Sequence, residues 1–118
     1  MNILGINGAI GWDGNIHRIF SNGSIINLRI HGSGVTLMMD GELKNALHEE
    51  RFSRIKNDGN YPKLSIEKIL DYNGLTKYDI DLVVYVCGAE NLMQFGLKTA
   101  GYIDEKLQEY FPNSQVEF

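Results

Sequence analysis

The chain has 118 residues, 43% of them hydrophobic, with 11 Lys and Arg against 15 Asp and Glu for a formal charge of −4. That length allows at most one domain, with enough chain to bury a core. The mildly acidic balance without a basic block argues against a nucleic-acid partner. No apolar run nears the ~20 residues needed to cross a bilayer, so no membrane partner is expected. The first residues lack a basic stretch followed by a long apolar core, so no signal peptide is read. One cysteine, Cys87, excludes an internal disulfide and fits a reducing compartment, and the cytoplasm is the expected location. Asn22-Gly23-Ser24 matches a glycosylation acceptor, but without a secretion signal it reads as a turn.

Residues 1–6 are short and apolar, as a buried central strand should be. Residues 9–30 hold Trp12-Asp13-Gly14-Asn15 and two further runs, 16–20 and 24–30, around Asn22-Gly23, which is a hairpin signal. A small β-arm or a flap over a site is expected there, with a tolerated surface insertion as the alternative. Residues 34–39 and 42–49 flank Asp40-Gly41, a pair that tolerates the positive φ of a type I′ turn. Pro62 sits where a first helical turn accepts it. Ile66, Ile69 and Leu70 form an apolar stripe at helical spacing, and Gly74 is expected to end that helix as its C′ residue. Residues 82–87 form a continuous β-rich run, typical of a strand buried on both faces. A second helix over about 91–110 brings Leu92, Leu97, Ala100, Ile103, Leu107 and Phe111 near one face. Gly96 and Gly101 weaken it, each costing about 1 kcal/mol relative to Ala. Residues 114–118 begin another strand, which right-handed crossovers would place parallel to 82–87.

The expected fold class is therefore α/β, with three strands followed by helix, strand, helix and strand. This βββαβαβ order is the ribonuclease-H-like arrangement of the actin/hexokinase/Hsp70-type nucleotide-binding folds, here carrying a hairpin insertion after the first strand.

Residues 48–56 gather one imidazole (His48), two carboxylates (Glu49, Glu50) and three cations (Arg51, Arg54, Lys56), with Phe52 and Ile55 as anchors. A charged cluster at a strand end lies where open α/β sheets build binding sites. On composition alone a solvated strand end with surface ion pairs is the simpler reading. Residue order favours the site. Glu49-Glu50-Arg51-Phe52-Ser53-Arg54-x-Lys56, after Met39-Asp40-Gly41-Glu42-Leu43, resembles the N-terminal signature of the NodU/CmcH-type carbamoyltransferases, which make carbamate esters in antibiotic and nodulation-factor biosynthesis. Ile3-Leu4-Gly5-Ile6-Asn7-Gly8 resembles the opening strand of that family. His31-Gly32-Ser33-Gly34-Val35-Thr36-Leu37 resembles its His-Asp-Ser-Ser-Ala-Ala-Leu segment, with Gly32 in place of the Asp. Asn57-Asp58-Gly59-Asn60-Tyr61-Pro62 and Gly74-Leu75-Thr76 with Asp79-Ile80-Asp81 also fall in family order. The resemblance covers roughly positions 1–86 apart from the 9–30 insertion, and the order of the motifs makes the set specific.

The resemblance implies roles. His31 matches a histidine acting as general base on the acceptor hydroxyl, a task suited to a neutral imidazole. Gly32 removes the neighbouring carboxylate that would orient it. Lys56 matches the lysine near the nucleotide or carbamoyl-adenylate, where a cation neutralises phosphoryl oxygens. Glu50 and Arg51 are expected to form an ion pair shaping the site, and Phe52 to join the core. Gly5, Asn7 and Gly8 form a turn after the first strand, where small residues let backbone N–H groups approach an anion, so Asn7 and Gly8 are further nucleotide-binding candidates. The Gly-Lys-Ser/Thr ending of a Walker loop is absent. His17, His31 and His48 lack the paired spacing of a metal site.

The family holds a divalent metal largely through a His-His-x-x-x-His cluster that follows the strand matching 115–118, and its carbamoyl-phosphate domain lies further on. Residues 1–118 are thus expected to be the N-terminal subdomain of an ATP-dependent O-carbamoyltransferase. Its two steps would join carbamoyl phosphate and ATP into carbamoyl-adenylate, then pass the carbamoyl group to a small-molecule hydroxyl. ATP is the expected cofactor, and the metal belongs to the complete enzyme rather than to this chain. Expected partners are the remaining transferase domains, a second subunit or a second copy of the chain, and alone it should be inactive. The competing reading is a non-catalytic interaction module pairing with a second chain. A sugar-kinase-like nucleotide-binding half is disfavoured, because Asn7-Gly8 stands where those kinases usually carry Asp-x-Gly-Thr.

Overall fold

The structure, a computed structural model, describes residues 1–10, 17–19, 25–27, 32–86 and 97–117, with side chains over 1–10, 32–86 and 103–117. The expectations for His31, Cys87, Trp12 to Asn15, the Asn22-Gly23 turn and residues 91–96 lie outside them. In chain order the elements are β1 (Asn2–Asn7), β2 (His17–Ile19), β3 (Ile25–Asn27), β4 (Gly34–Met39), β5 (Glu42–His48), α1 (Glu50–Ser53), α2 (Lys63–Tyr72), a 3₁₀ turn (Lys77–Asp79), β6 (Leu82–Tyr85), α3 (Leu97–Tyr110) and β7 (Gln115–Glu117). Five strands make one mixed sheet in the order β5-β4-β1-β6-β7, while β2 and β3 pair with each other. β1 is central: antiparallel to β4, parallel to β6, and β6 is in turn parallel to β7.

The hairpin and helix punctuation follow local chemistry. Asp40 and Gly41 take φ values of 52° and 81°, and Met39 pairs with Glu42 across them, so the two-residue loop is the I′ type that matches strand twist. Further along, Leu37 pairs with Asn45 but Met38 with Leu43, leaving Lys44 as the extra residue of a bulge. Pro62 occupies the N-cap position of α2. At its far end Gly74 is left-handed at φ 66°, and the N–H groups of Leu75 and Gly74 reach the carbonyls of Leu70 and Asp71 at 2.9 and 3.2 Å. That is a Schellman motif.

One face of the sheet carries the core. Leu4 and Ile6 of β1 lie in register with Leu37 and Val35 of β4 and with Val83 and Tyr85 of β6, and all six are buried. Ile66, Ile69 and Leu70 of α2, Ile103 and Leu107 of α3, Phe111 and Ile80 pack with them. The expectation that 82–87 is buried on both faces does not hold. Burial alternates along β6, because the helices cover one face and Leu82 and Val84 look out of the other.

Candidate functional site

The carboxyl ends of β1, β5 and β6 meet the start of β4 at one edge of the sheet. Register places Asn7 opposite Gly34 and Gly34 opposite His48, and Val86 follows the last residue of β6 alongside. The ends of the parallel strands are where open α/β sheets hold ligands. Two adjoining depressions open there. The larger, about 830 Å³, is lined by Gly32, His48, Glu50, Arg51, Arg54, Lys56 and Asn57. The smaller, about 340 Å³, includes Asn7, Gly32, Gly34, Thr36, His48 and Val86 in its wall. Gly32 and His48 belong to both.

The cations converge because the chain turns at once after β5. Glu49 is already helical, and its carbonyl accepts the N–H groups of Phe52 and Ser53, each at 2.9 Å. α1 lasts four residues and stops at Arg54, which is left-handed at φ 62°. A second tight turn follows, closed by the N–H of Asp58 on the carbonyl of Ile55 at 3.1 Å, with Asn57 at φ 55° in its third position, the pattern of a type II turn. Arg51, Arg54 and Lys56 are exposed in this bend and make no ion pair among the described residues.

The two adjacent glutamates part company. Glu49 points inward, 4% exposed, and its carboxylate accepts the N–H groups of Leu64 and Ser65 at the start of α2. Glu50 stays in the depression and accepts the N–H of Asn57 at 2.6 Å. The expected Glu50–Arg51 ion pair is therefore not formed: the Glu50 carboxylate is engaged by a backbone donor, and no carboxylate lies within ion-pair reach of the Arg51 guanidinium among the described residues. Phe52, expected in the core, is half-buried and stands outside the buried cluster, because so short a helix presents little of its face to the sheet.

Asn7 lines the smaller depression, where its amide donates to the carbonyl of Gly32 at 3.2 Å. Gly8 is buried behind it and lines neither depression. A Cβ there would sit 2.8 Å from the carbonyl oxygen of Asn60 and from Cδ of Pro62, and the Gly8 carbonyl accepts the Tyr85 hydroxyl. Gly32, the neighbour of His31, reaches both depressions; His31 itself lies outside the described residues.

Sequence reasoning overlooked the residues that tie this edge together. Ser33, fully buried, donates its N–H and its hydroxyl to the carbonyl of Asp58 at 2.7 and 2.9 Å, and its own carbonyl accepts from Glu49 at 3.0 Å. Ala9 donates to the carbonyl of Gly59 at 2.9 Å. No local pattern marks these polar residues as interior, since their partners lie 16 to 50 positions away in sequence. Among the described residues no cluster of three metal-ligating side chains occurs, and no helix is long and apolar enough to cross a membrane.

No family model matches the chain. It is 34% identical to nodulation protein NolNO of Sinorhizobium fredii over 78 residues, which is 65% of this chain and 12% of that protein. An uncharacterized 19.2 kDa protein in the syrM 5′ region of Rhizobium etli is 31% identical over 78 residues, 65% of this chain and 46% of that protein. An uncharacterized protein of Synechocystis is 33% identical over 60 residues, 51% of this chain and 10% of that protein. The chain thus spans between about a tenth and about a half of the length of these relatives.

Proposed function

We propose that this chain supplies the phosphate-binding edge of an ATP-dependent O-carbamoyltransferase, which moves a carbamoyl group from carbamoyl phosphate, via carbamoyl-adenylate, to a hydroxyl of a small-molecule natural product. The observation that carries the reading is the convergence of Arg51, Arg54 and Lys56 in one depression past the carboxyl end of β5, which adjoins, through Gly32 and His48, the smaller depression lined by Asn7 and Val86 at the ends of β1 and β6. The similarity to a nodulation protein supports it, as does the NodU/CmcH-like order of residues 49–56. The strand order β5-β4-β1-β6-β7, with the outer hairpin antiparallel and β6 and β7 parallel to β1, supports a ribonuclease-H-like fold for the subdomain.

In this reading the residues divide the work. Arg51 and Arg54 present planar forks suited to two oxygens of a phosphate, while Lys56 acts as a point charge. Their lack of carboxylate partners among the described residues fits them for an anion. ATP, when bound, supplies the activation of the carbamoyl donor. Asn7, fixed by its bond to Gly32, offers a neutral polar group to the nucleotide or carbamoyl-adenylate from the adjoining depression. His31 is assigned the proton of the acceptor hydroxyl, supported by the place of its neighbour Gly32 in both depressions. A divalent metal would be held by the rest of the transferase, where it would act as a Lewis acid on the carbamoyl oxygen. The rest of the transferase, as further domains or a second subunit, is the expected partner, and the cytoplasm the expected setting.

An amide-resolved NMR titration of the purified chain with ATP tests the reading. Expected are saturable shifts confined to Asn7, Gly32, His48 and the 50–57 bend. Uniform or absent shifts at millimolar ATP would overturn it.

A further inference from the structure

We propose that Glu50 is the positioning residue of the cationic depression: it clasps the bend that carries Arg54 and Lys56 at both ends, so that these cations face an anion instead of splaying into solvent. The proposal rests on the phosphate-binding reading above and adds a residue through which that site is held in shape.

The clasp is built from two bonds of one residue. The backbone carbonyl of Glu50 accepts the N–H of Arg54 at 2.9 Å, closing the first end of the bend. Its side-chain Oε2 accepts the N–H of Asn57 at 2.6 Å, closing the second. Arg54 and Asn57 are the residues forced to positive φ, at 62° and 55°. A left-handed conformation costs a residue such as Arg54 about 1–2 kcal/mol and Asn57 less, because the short polar side chain of Asn tolerates it, and the Arg54 conformation persists only where surrounding bonds hold it. Two further bonds are internal to the bend: the N–H of Ile55 on Oγ of Ser53 at 3.3 Å, and the N–H of Asp58 on the carbonyl of Ile55 at 3.1 Å. Ser33 holds the carbonyl of Asp58, one residue beyond Asn57, through its N–H and hydroxyl at 2.7 and 2.9 Å, while the side chain bonded to the left-handed Asn57 itself is that of Glu50.

The choice of partner matters as much as the bond. Glu50 lines a depression with three cations, yet its carboxylate is taken by a backbone N–H and forms no ion pair with Arg51, Arg54 or Lys56 among the described residues. A carboxylate bonded to any of them would compete with an incoming phosphate. Held on Asn57, it orders the loop and leaves the guanidinium and ammonium groups available. The same carboxylate also subtracts one charge from the depression, so its electrostatic effect on an anion opposes its positioning effect. Two substitutions separate them. Glu50→Gln keeps an oxygen acceptor for the Asn57 N–H and removes the charge, whereas Glu50→Ala removes both.

The experiment measures the affinity of the full chain and both variants for ATP and for inorganic tripolyphosphate, with melting temperature and the Asn57 and Lys56 amide signals as controls. If Glu50 positions the cations, Glu50→Gln binds as tightly as the native chain or up to about fivefold tighter, as loss of one exposed like-charge neighbour would give. Glu50→Ala then binds about tenfold more weakly than Glu50→Gln, and its Lys56 and Asn57 amides broaden or shift while the core signals stay in place. Equal strengthening in both variants would make Glu50 a mere local charge and overturn the proposal, leaving the phosphate-binding reading intact. A native chain that binds neither polyphosphate would overturn both. Collapse of the whole spectrum in Glu50→Ala, with Glu50→Gln also unfolded, would assign Glu50 to overall stability and equally overturn the positioning role.

Discussion

Ser65 donates both its backbone N–H, at 2.8 Å, and its hydroxyl, at 2.9 Å, to the same carboxylate oxygen of Glu49, while the other oxygen takes the N–H of Leu64 at 3.3 Å. The first-turn N–H groups of a helix need acceptors, and Pro62 at the N-cap position makes no side-chain cap. Glu49 supplies that cap from sixteen residues away, where its charge also complements the positive end of the helix. The same bonds anchor the start of the cationic bend to α2. Glu49→Ala should therefore destabilise the fold by about 2–3 kcal/mol, since it leaves buried donors without a charged acceptor. Glu49→Gln should cost less. Urea unfolding of both variants at constant slope checks the order, and equal stability of Glu49→Ala and the native chain would refute the cap.

Gly8 and Gly5 sit three residues apart but should respond oppositely to a methyl group. At Gly8 the new Cβ would meet backbone and ring atoms at 2.8 Å, which flexible side chains cannot relieve. At Gly5 the nearest atom is Cβ of Thr36, at 3.8 Å, an ordinary contact. Gly8→Ala is expected to lose about 2–3 kcal/mol through forced displacement of the Asn60–Pro62 backbone. Gly5→Ala should be neutral or stabilising by up to about 1 kcal/mol, because a strand conformation suits Ala and the unfolded chain loses freedom. Thermal unfolding of the pair decides this, and similar losses at both positions would contradict the packing.

The Tyr61 phenol, packed against Tyr110 with ring centroids 5.0 Å apart, is pushed above its ordinary value of 10.0, first by burial and then by the neighbouring phenol. A group raised on folding stabilises the native state fully below its unfolded value, and that contribution disappears as pH climbs through the folded value. Stability should thus fall as pH rises beyond about 10. Tyr61→Phe, which cannot ionise, should flatten that fall. Denaturant midpoints of the two proteins across the alkaline range test it, and parallel curves would exclude Tyr61 as the cause.

The purified chain alone is expected neither to hydrolyse carbamoyl phosphate nor to form carbamoyl-adenylate. The ground is the proposed division of labour, in which this chain holds the phosphate through Arg51, Arg54 and Lys56 and another domain carries out the adenylation. Adenylate formation by the isolated chain, followed by chromatography of radiolabelled nucleotide, would remove the assignment of that step to a different domain.

Much of the architecture was legible because it is local. The Asp40-Gly41 turn, the Gly74 stop and the Ile66, Ile69 and Leu70 stripe depend on the φ range of a few residues and on helical spacing, which adjacent side chains carry with them. The same holds for the order of strands and helices over the described residues. Boundaries were less legible. The helix α1 has no signal in the sequence, because four residues are too few for a helical repeat, and the apolar run of β6 does not say how many of its faces will be covered.

Which segments extend, turn or coil, and that charge accumulates over residues 48–56, follow from backbone preference and side-chain chemistry within a few positions. What each residue of that cluster does depends on how the chain packs. Glu49 and Glu50 are identical neighbours, yet one is drawn into the interior by the Leu64 and Ser65 donors and the other holds Asn57 at the surface. Gly5 and Gly8 differ because only one meets the Asn60–Pro62 backbone. The physical reason is common to both pairs: burial and hydrogen-bond satisfaction depend on groups that folding brings from distant parts of the chain, and no local preference encodes which partner will arrive.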